Sequence, residues 1–516
     1  MRIWRSATVA LAAALLTLTA CSAPPEVVPP KAGSPAPEVS ADLAPFYNQS
    51  LDWRNCGTAD CAKLTVPLDY ADPSGPTIEL AIIRVAAGGG ASGEASGGST
   101  SGAIGSLFVN PGGPGGSAVD YARAAPNIFG DVILDSFNVV GLDPRGVGLS
   151  EPIQCFTDEK IDELNSEPFA SVKTLSNTDL ELEYAELGNL CETNGGELLN
   201  HMSTIESAQD LDIARAAVGD DVLNYLGKSY GTAIGAAYIR LFPNTIGRVV
   251  LDGVLPIDID AAEVTRTQAE AFEVATAYFI ADCVTRDDCP FSPEPAVAVQ
   301  ELRDLFTSLD RAPVITTDPN RPLNGALLSR AVLSYLYFPE MDYPRLRAAL
   351  AEVVNNQDGT AALALADERT NRGPEGEYLN NSTDAYFGVT CLDLPYQGSV
   401  QDARAFSAEL AVIAPTFGEQ LGLGVLACRN WPAVGPSLPP LPQSINAPIL
   451  IANPANDPAT PLLWAQRLNE QLPDSRLVVW NTHHHTAYTN GSRCVDEIVE
   501  TYLLTGDAPT FAECSA

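Results

Sequence analysis

Short apolar runs recur along the chain and predict buried strands. They lie at Leu64-Thr65-Val66, 77–85, Leu107-Phe108-Val109, 137–142, 222–226, 248–251, 448–452 and 477–480. Only the first two sit in a stretch, 53–84, where polar and apolar positions alternate, as in a strand with one wet face. The later runs are almost wholly apolar, which suits parallel strands covered on both faces. Helical patterns separate several of them, at 205–218 and 232–239 for example. This alternation predicts an α/β fold with a mostly parallel central sheet.

The strand rhythm stops after Asp252 and resumes at Pro448. The stretch between reads as helices, at 261–281, 296–310, 327–337, 343–355 and 403–413. An independent second domain is one reading of such an insertion. The return to strands favours another, a large helical cap inserted before the last strands. The predicted division is a core over 46–255, a cap over 256–446, and the remainder of the core over 447–516.

The N-terminus changes the picture of where the protein works. Arg2 and Arg5 precede an apolar segment that ends in Leu18-Thr19-Ala20-Cys21, the pattern of a signal peptide (1–20) with a lipobox. Cys21 is the predicted lipid-bearing residue, and an ordinary secretory signal is the alternative. A Pro-rich tether follows over 21–45, too poor in apolar residues to fold. The expected location is the outer face of a bacterial membrane, with the lipid as the only membrane contact. A Gly/Ser/Ala tract at 88–105 reads as a surface loop. The formal net charge of −36 argues against nucleic acid as a partner.

Beyond Cys21 there are ten cysteines, an even number, which in an exported protein implies disulfides. Pairing in sequence order is expected: Cys56 with Cys61, Cys155 with Cys191, Cys283 with Cys289, Cys391 with Cys428 and Cys494 with Cys514. Metal binding is disfavoured, because no C-x-x-C occurs and the one histidine cluster has a better use. No metal or cofactor is expected.

That use follows from Gly227-Lys228-Ser229-Tyr230-Gly231, a G-x-S-x-G motif between a predicted strand and a predicted helix. Alone such a motif fills ordinary turns; in this context it is a nucleophile elbow. A serine needs a base to take its proton and a carboxylate to orient that base. In α/β-hydrolases the chain order is Ser, acid, His. His201 precedes Ser229 and reads as structural. His483, His484 and His485 follow the last predicted strand, with His485 as the chosen base and His484 as the alternative. Asp457, in a Pro- and Asn-rich turn after the strand at 448–452, is the candidate acid, and Asp252 is its competitor. The oxyanion donors should be the amide of Tyr230 and an amide of the 110–117 loop, with Gly113 the choice.

Together, Asn110-Pro111-Gly112-Gly113-Pro114-Gly115-Gly116-Ser117, Asp143-Pro144-Arg145-Gly146, Gly227-Lys228-Ser229-Tyr230-Gly231-Thr232, Asp457-Pro458-Ala459-Thr460-Pro461 and His485-Thr486-Ala487-Tyr488 resemble the secreted tripeptidyl aminopeptidases of actinobacteria. These are relatives of prolyl aminopeptidases and include cell-envelope lipoprotein serine proteases of mycobacteria. Cys391-Leu392-Asp393 and Cys428-Arg429-Asn430-Trp431-Pro432 extend the match, which runs from about Trp53 to the C-terminus. The resemblance implies an α/β-hydrolase exopeptidase that releases short peptides from a free N-terminus. It also implies a cap that recognises the substrate's α-amino group, often through carboxylates. Asp393 is the candidate, against the plainer reading that it caps a helix or lies in solvent. An esterase or lipase with the same triad, and a non-catalytic envelope-binding lipoprotein, are the competing functions.

Overall fold

The computed structural model describes residues 28–30, 40–88 and 103–515. Cys21, the signal segment, most of the tether and most of the Gly/Ser/Ala tract lie outside these residues.

The strands are β1 (Arg54–Asn55), β2 (Asp60–Pro67), β3 (Thr77–Val85), β4 (Gly105–Asn110), β5 (Phe137–Leu142), β6 (Leu223–Lys228), β7 (Ile246–Asp252), β8 (Ile449–Pro454), β9 (Ser475–Trp480) and β10 (Phe511–Cys514). They form one sheet in the order β1-β2-β3-β5-β4-β6-β7-β8-β9-β10. The pairs β1–β2, β2–β3 and β3–β5 are antiparallel; every pair from β5–β4 to β9–β10 is parallel. Each predicted strand is present. The continuous apolar runs are explained by burial on two faces: Leu107 and Val109 join one core and Phe108 the other. Truncating Leu107 or Phe108 to alanine costs about 2–5 kcal/mol.

Two strands were not legible. β1 is two exposed residues, held in a hairpin by Cys56–Cys61. β10 is short and half exposed, and Cys494–Cys514 pins it to the helix Arg493–Thr505. All five disulfides join neighbours in sequence order.

β4 is the place where the sheet changes direction. The chain leaves β4 for β5 on one side and later returns to β6 on the other. Crevices for ligands form at the carboxyl ends of strands at such a switch point. Here β4 and β6 end level, with Asn110 opposite Gly227, and β7 ends beside β6, with Asp252 opposite Lys228.

Helices Ala261–Cys283, Pro295–Arg311, Gly325–Ser334 and Pro339–Ala351 pack around their own apolar cluster. The helix Asn177–Gly195, inserted between β5 and β6, packs against Val400–Ile413 of the same helical layer. Asp384 ties the two inserts together by accepting from the amides of Cys155 (2.7 Å) and Phe156 (2.9 Å).

Arg145 fixes the loop after β5. Its side chain is fully buried and donates twice to Asp210 at 2.7 Å, and to the carbonyls of Pro67, Leu68 and His201. Asp143 accepts from Ser117 Oγ (2.8 Å) and the Val119 amide (2.9 Å), which anchors the far end of the 110–117 loop. His201 sits beside Glu206, with Nδ1 at 2.9 Å from Oε1, consistent with its structural reading.

Candidate active site

Ser229 stands at the junction of β6 and the helix Tyr230–Leu241 with φ 54° and ψ −125°. A non-glycine residue seldom adopts positive φ, and at functional sites the surrounding structure holds it there. The flanking glycines make the turn possible: a Cβ on Gly227 would lie 2.4 Å from the Gly231 carbonyl oxygen, and one on Gly231 would lie 2.7 Å from that of Asn110. The Ser229 amide donates to the Asp252 carbonyl at 2.9 Å, and the Ser229 carbonyl accepts from the Thr232 amide and hydroxyl.

The 110–117 loop presses against this turn. A Cβ on Gly112 would lie 2.5 Å from the Lys228 carbonyl oxygen and 2.9 Å from the Tyr230 nitrogen. The Gly112 amide is occupied, donating to Asn110 Oδ1 at 2.9 Å. Among the described residues the Gly113 amide has no acceptor. Tyr230 opens its helix, so its amide has no intrahelical partner either. Two free N–H groups thus flank Ser229.

His485 and Asp457 meet across two loops. His485 Nδ1 lies 2.9 Å from Asp457 Oδ1 and 3.1 Å from Oδ2. Since a carboxylate only accepts, Nδ1 carries the proton and Nε2 is left as the basic nitrogen. Both residues are buried. Asp457 is held by the amides of Ala459 (2.9 Å), Thr460 (2.8 Å) and Thr486 (3.0 Å). The helical layer grips the histidine from above: Tyr337 accepts from the His485 amide at 2.8 Å and sets its ring edge-on, 5.0 Å from the imidazole.

The competing residues have other partners. Asp252 accepts from the amides of Ala487 (2.6 Å) and Tyr488 (3.0 Å) and faces Lys228 Nζ at 3.6 Å. Burial pushes the Asp252 carboxyl up and the Lys228 ammonium down, each opposed by the other's charge. His484 Nε2 lies 2.5 Å from Glu340, and the His483 ring stacks on Tyr278 at 3.5 Å. Among the described residues no group of side chains has the makings of a metal site.

Asp393 ends the helix Ser382–Asp393. It accepts from the Thr204 hydroxyl (2.5 Å) and amide (3.1 Å), and Thr204 Oγ1 lies 2.8 Å from the Tyr230 hydroxyl. A carboxylate is therefore wired to the residue after Ser229. Asp393 is reachable by water yet has protein on most sides. That enclosure raises its pKa to about 7, against the Thr204 hydrogen bonds. No cation lies within ion-pair distance of it among the described residues. Sequence reasoning missed Tyr337 and Thr204, which have no distinctive spacing and join the site only through tertiary contacts, and gave Lys228 of the elbow motif no role, since its pairing with Asp252 is tertiary.

Known proteins resemble this chain over most of its length. A family described as TAP-like protein matches residues 414–514. The serine protease Hip1 of Mycobacterium tuberculosis is 34% identical over 494 residues, spanning 90% of this chain and 91% of that protein. Carboxylesterase B of the same organism is 33% identical over 504 residues, spanning 94% of both chains. The tripeptidyl aminopeptidase of Streptomyces lividans is 30% identical over 490 residues, spanning 88% of this chain and 84% of that protein. The chain belongs to the tripeptidyl-aminopeptidase-like family of serine hydrolases with the α/β-hydrolase fold.

Proposed function

We propose that the protein is an exported aminopeptidase that releases short peptides from the free N-terminus of peptides or proteins. Ser229 attacks the scissile carbonyl while His485 Nε2 takes its proton. Asp457 holds the Nδ1–H tautomer and stabilises the imidazolium that forms. The amides of Gly113 and Tyr230 receive the developing oxyanion. His485 then gives its proton to the leaving amine, the acyl-enzyme forms, and water repeats the cycle to release the peptide. The helical insertion 256–446 serves as the cap between the two parts of the core, 46–255 and 447–516. Cys21 carries the lipid that holds the mature enzyme, from residue 21, on the outer face of the membrane.

The observation that carries the exopeptidase reading is the unpaired Asp393 carboxylate beside Tyr230. An enclosed charge needs a partner, and a substrate ammonium supplies one. The family includes both a tripeptidyl aminopeptidase and a carboxylesterase by name, so an esterase is the second reading. A panel of fluorogenic aminoacyl, tripeptidyl and fatty-ester substrates separates them. A tripeptide amide should be cleaved far faster than its N-acetylated form. Equal kcat/KM for the two removes the exopeptidase reading and promotes the esterase.

A further inference from the structure

A second enclosed charge, of the opposite sign, also lacks an ion-pair partner among the described residues. Arg330 lies on the helix Gly325–Ser334 and is largely enclosed. Its Nε is buried without an acceptor, and among the described residues no carboxylate lies within ion-pair distance of its guanidinium. The chain has 65 acidic residues against 29 basic ones, so an enclosed arginine without a carboxylate is out of pattern. Arg248 and Arg404 also lack ion pairs, but they donate to backbone carbonyls. Arg330 has no such acceptor among the described residues. The groups in its electrostatic reach are the phenols of Tyr386 and Tyr378. Burial without a counter-charge works against the Arg330 cation. The Tyr378 hydroxyl is already engaged with Asp162 and Asn165. That leaves Tyr386, which is 47% exposed although surrounded by protein.

These residues can be ordered along one wall. Tyr386 and Asp393 are seven residues apart on the helix Ser382–Asp393, so they share a face, about 10 Å apart along the axis. Next to Tyr386, a Cβ on Gly115 of the 110–117 loop would touch Ala385 at 3.2 Å. Tyr386 is also within electrostatic reach of Tyr337, whose ring abuts His485. Asp393 thus adjoins the elbow through Thr204 and Tyr230, whereas Arg330 stands seven residues before Tyr337 on the segment that holds His485, and Tyr386 lies within electrostatic reach of both. The histidine protonates the leaving amine, so its side of the site is where the departing fragment lies.

We propose that Arg330 is a carboxylate-binding subsite for the departing fragment of the substrate, with Tyr386 as its neighbouring wall. It rests on the reading above only for which side the fragment leaves. An anion there satisfies the buried Nε and the charge together, and a planar guanidinium matches a carboxylate in two parallel hydrogen bonds. The fragment's own C-terminus is the favoured source. With Asp393 on the ammonium, the two charges favour peptides short enough for both ends to be held at once.

The test measures binding to the uncleaving Ser229→Ala protein by calorimetry. The ligands are tetra-alanine, its C-terminal amide, the amide with glutamate in the last position, and N-acetylated tetra-alanine. The free acid should bind about ten-fold more tightly than its amide, the value of one charge-assisted contact. Adding R330Q should bring the two within about two-fold. Equal binding of acid and both amides, or an acid preference that survives R330Q, overturns the proposal. Tight binding of the glutamate amide, lost in R330Q, supports the subsite with a side chain as the source. If the acetylated acid binds as well as the free peptide while the Arg330 effect persists, the aminopeptidase reading fails and the subsite stands. R330M is the second variant should R330Q not fold, and the acid-to-amide ratio with Arg330 intact is decisive without either.

Discussion

Asp252 accepts hydrogen bonds from the amides of Ala487 and Tyr488, at 2.6 and 3.0 Å, and so clamps the loop that carries His485 to the end of β7. Asp457 takes the imidazole itself, at 2.9 Å. Two buried carboxylates thus divide one task, the first holding the loop and the second the ring. Asp457→Asn should leave the fold intact and lower kcat by on the order of 10⁴-fold, through the wrong imidazole tautomer. Asp252→Ala should instead destabilise by about 3–5 kcal/mol, because it leaves Lys228 buried without its counter-charge. Thermal melts and kcat measured on both variants check the division. A stable Asp252→Ala protein with kcat as low as Asp457→Asn would reverse it.

Ser229→Ala should keep the melting temperature within a few degrees and lose about 10³-fold or more in kcat. A fluorophosphonate should label the wild-type protein at Ser229 and leave the variant unlabelled. Labelling of the variant at another serine is the result that removes Ser229 from its assigned role.

Of the three adjacent histidines, only His485 should be indispensable. His483→Ala loses a stacking contact with Tyr278, and His484→Ala loses a contact with Glu340. Both should retain activity within about ten-fold, as they touch the helical layer and not Asp457. The three variants are assayed at equal folded concentration. An inactive His484→Ala beside an active His485→Ala transfers the role to His484.

The enclosure of Asp393 gives a pH signature. Its folded-state pKa, raised from 3.8 to about 7, means that the ammonium-binding form is lost as pH falls below about 7. The ratio of kcat/KM for a free tripeptide amide over its acetylated form should therefore climb up to about pH 7 and fall again above about pH 8, where the substrate's own α-amino group loses its proton. Titration of the histidine cancels in this ratio, since both substrates need the same base. Stability runs the other way. The folded state binds the proton more tightly than the unfolded chain, so ionisation disfavours folding above about pH 7, and this penalty fades as pH falls toward 3.8. Asp393→Asn should flatten the activity ratio and melt above wild type at pH 8, with the gap closing in acid. A ratio unchanged between pH 5 and 8 removes Asp393 from amine recognition.

The amino-acid order alone determined most strands of the sheet and the chemistry-bearing residue types. Buried parallel strands need unbroken apolar runs, and a nucleophile elbow needs glycines where a Cβ would collide with backbone. Both requirements are local, so β2 to β9 and Ser229 could be read directly. Cysteine pairing by proximity was legible for the same reason. Which aspartate meets His485 was a tertiary outcome, because Asp252 and Asp457 both end strands and only loop packing separates them. β10 also escaped pattern reading: four residues carry too little periodicity, and a disulfide supplies the constraint. Asp393, Arg330 and Tyr386 are ordinary residues on helices until the layers close. Asp393 and Arg330 lack ion-pair partners among the described residues only once folding surrounds them with protein, where an uncompensated charge acts more strongly than in open water.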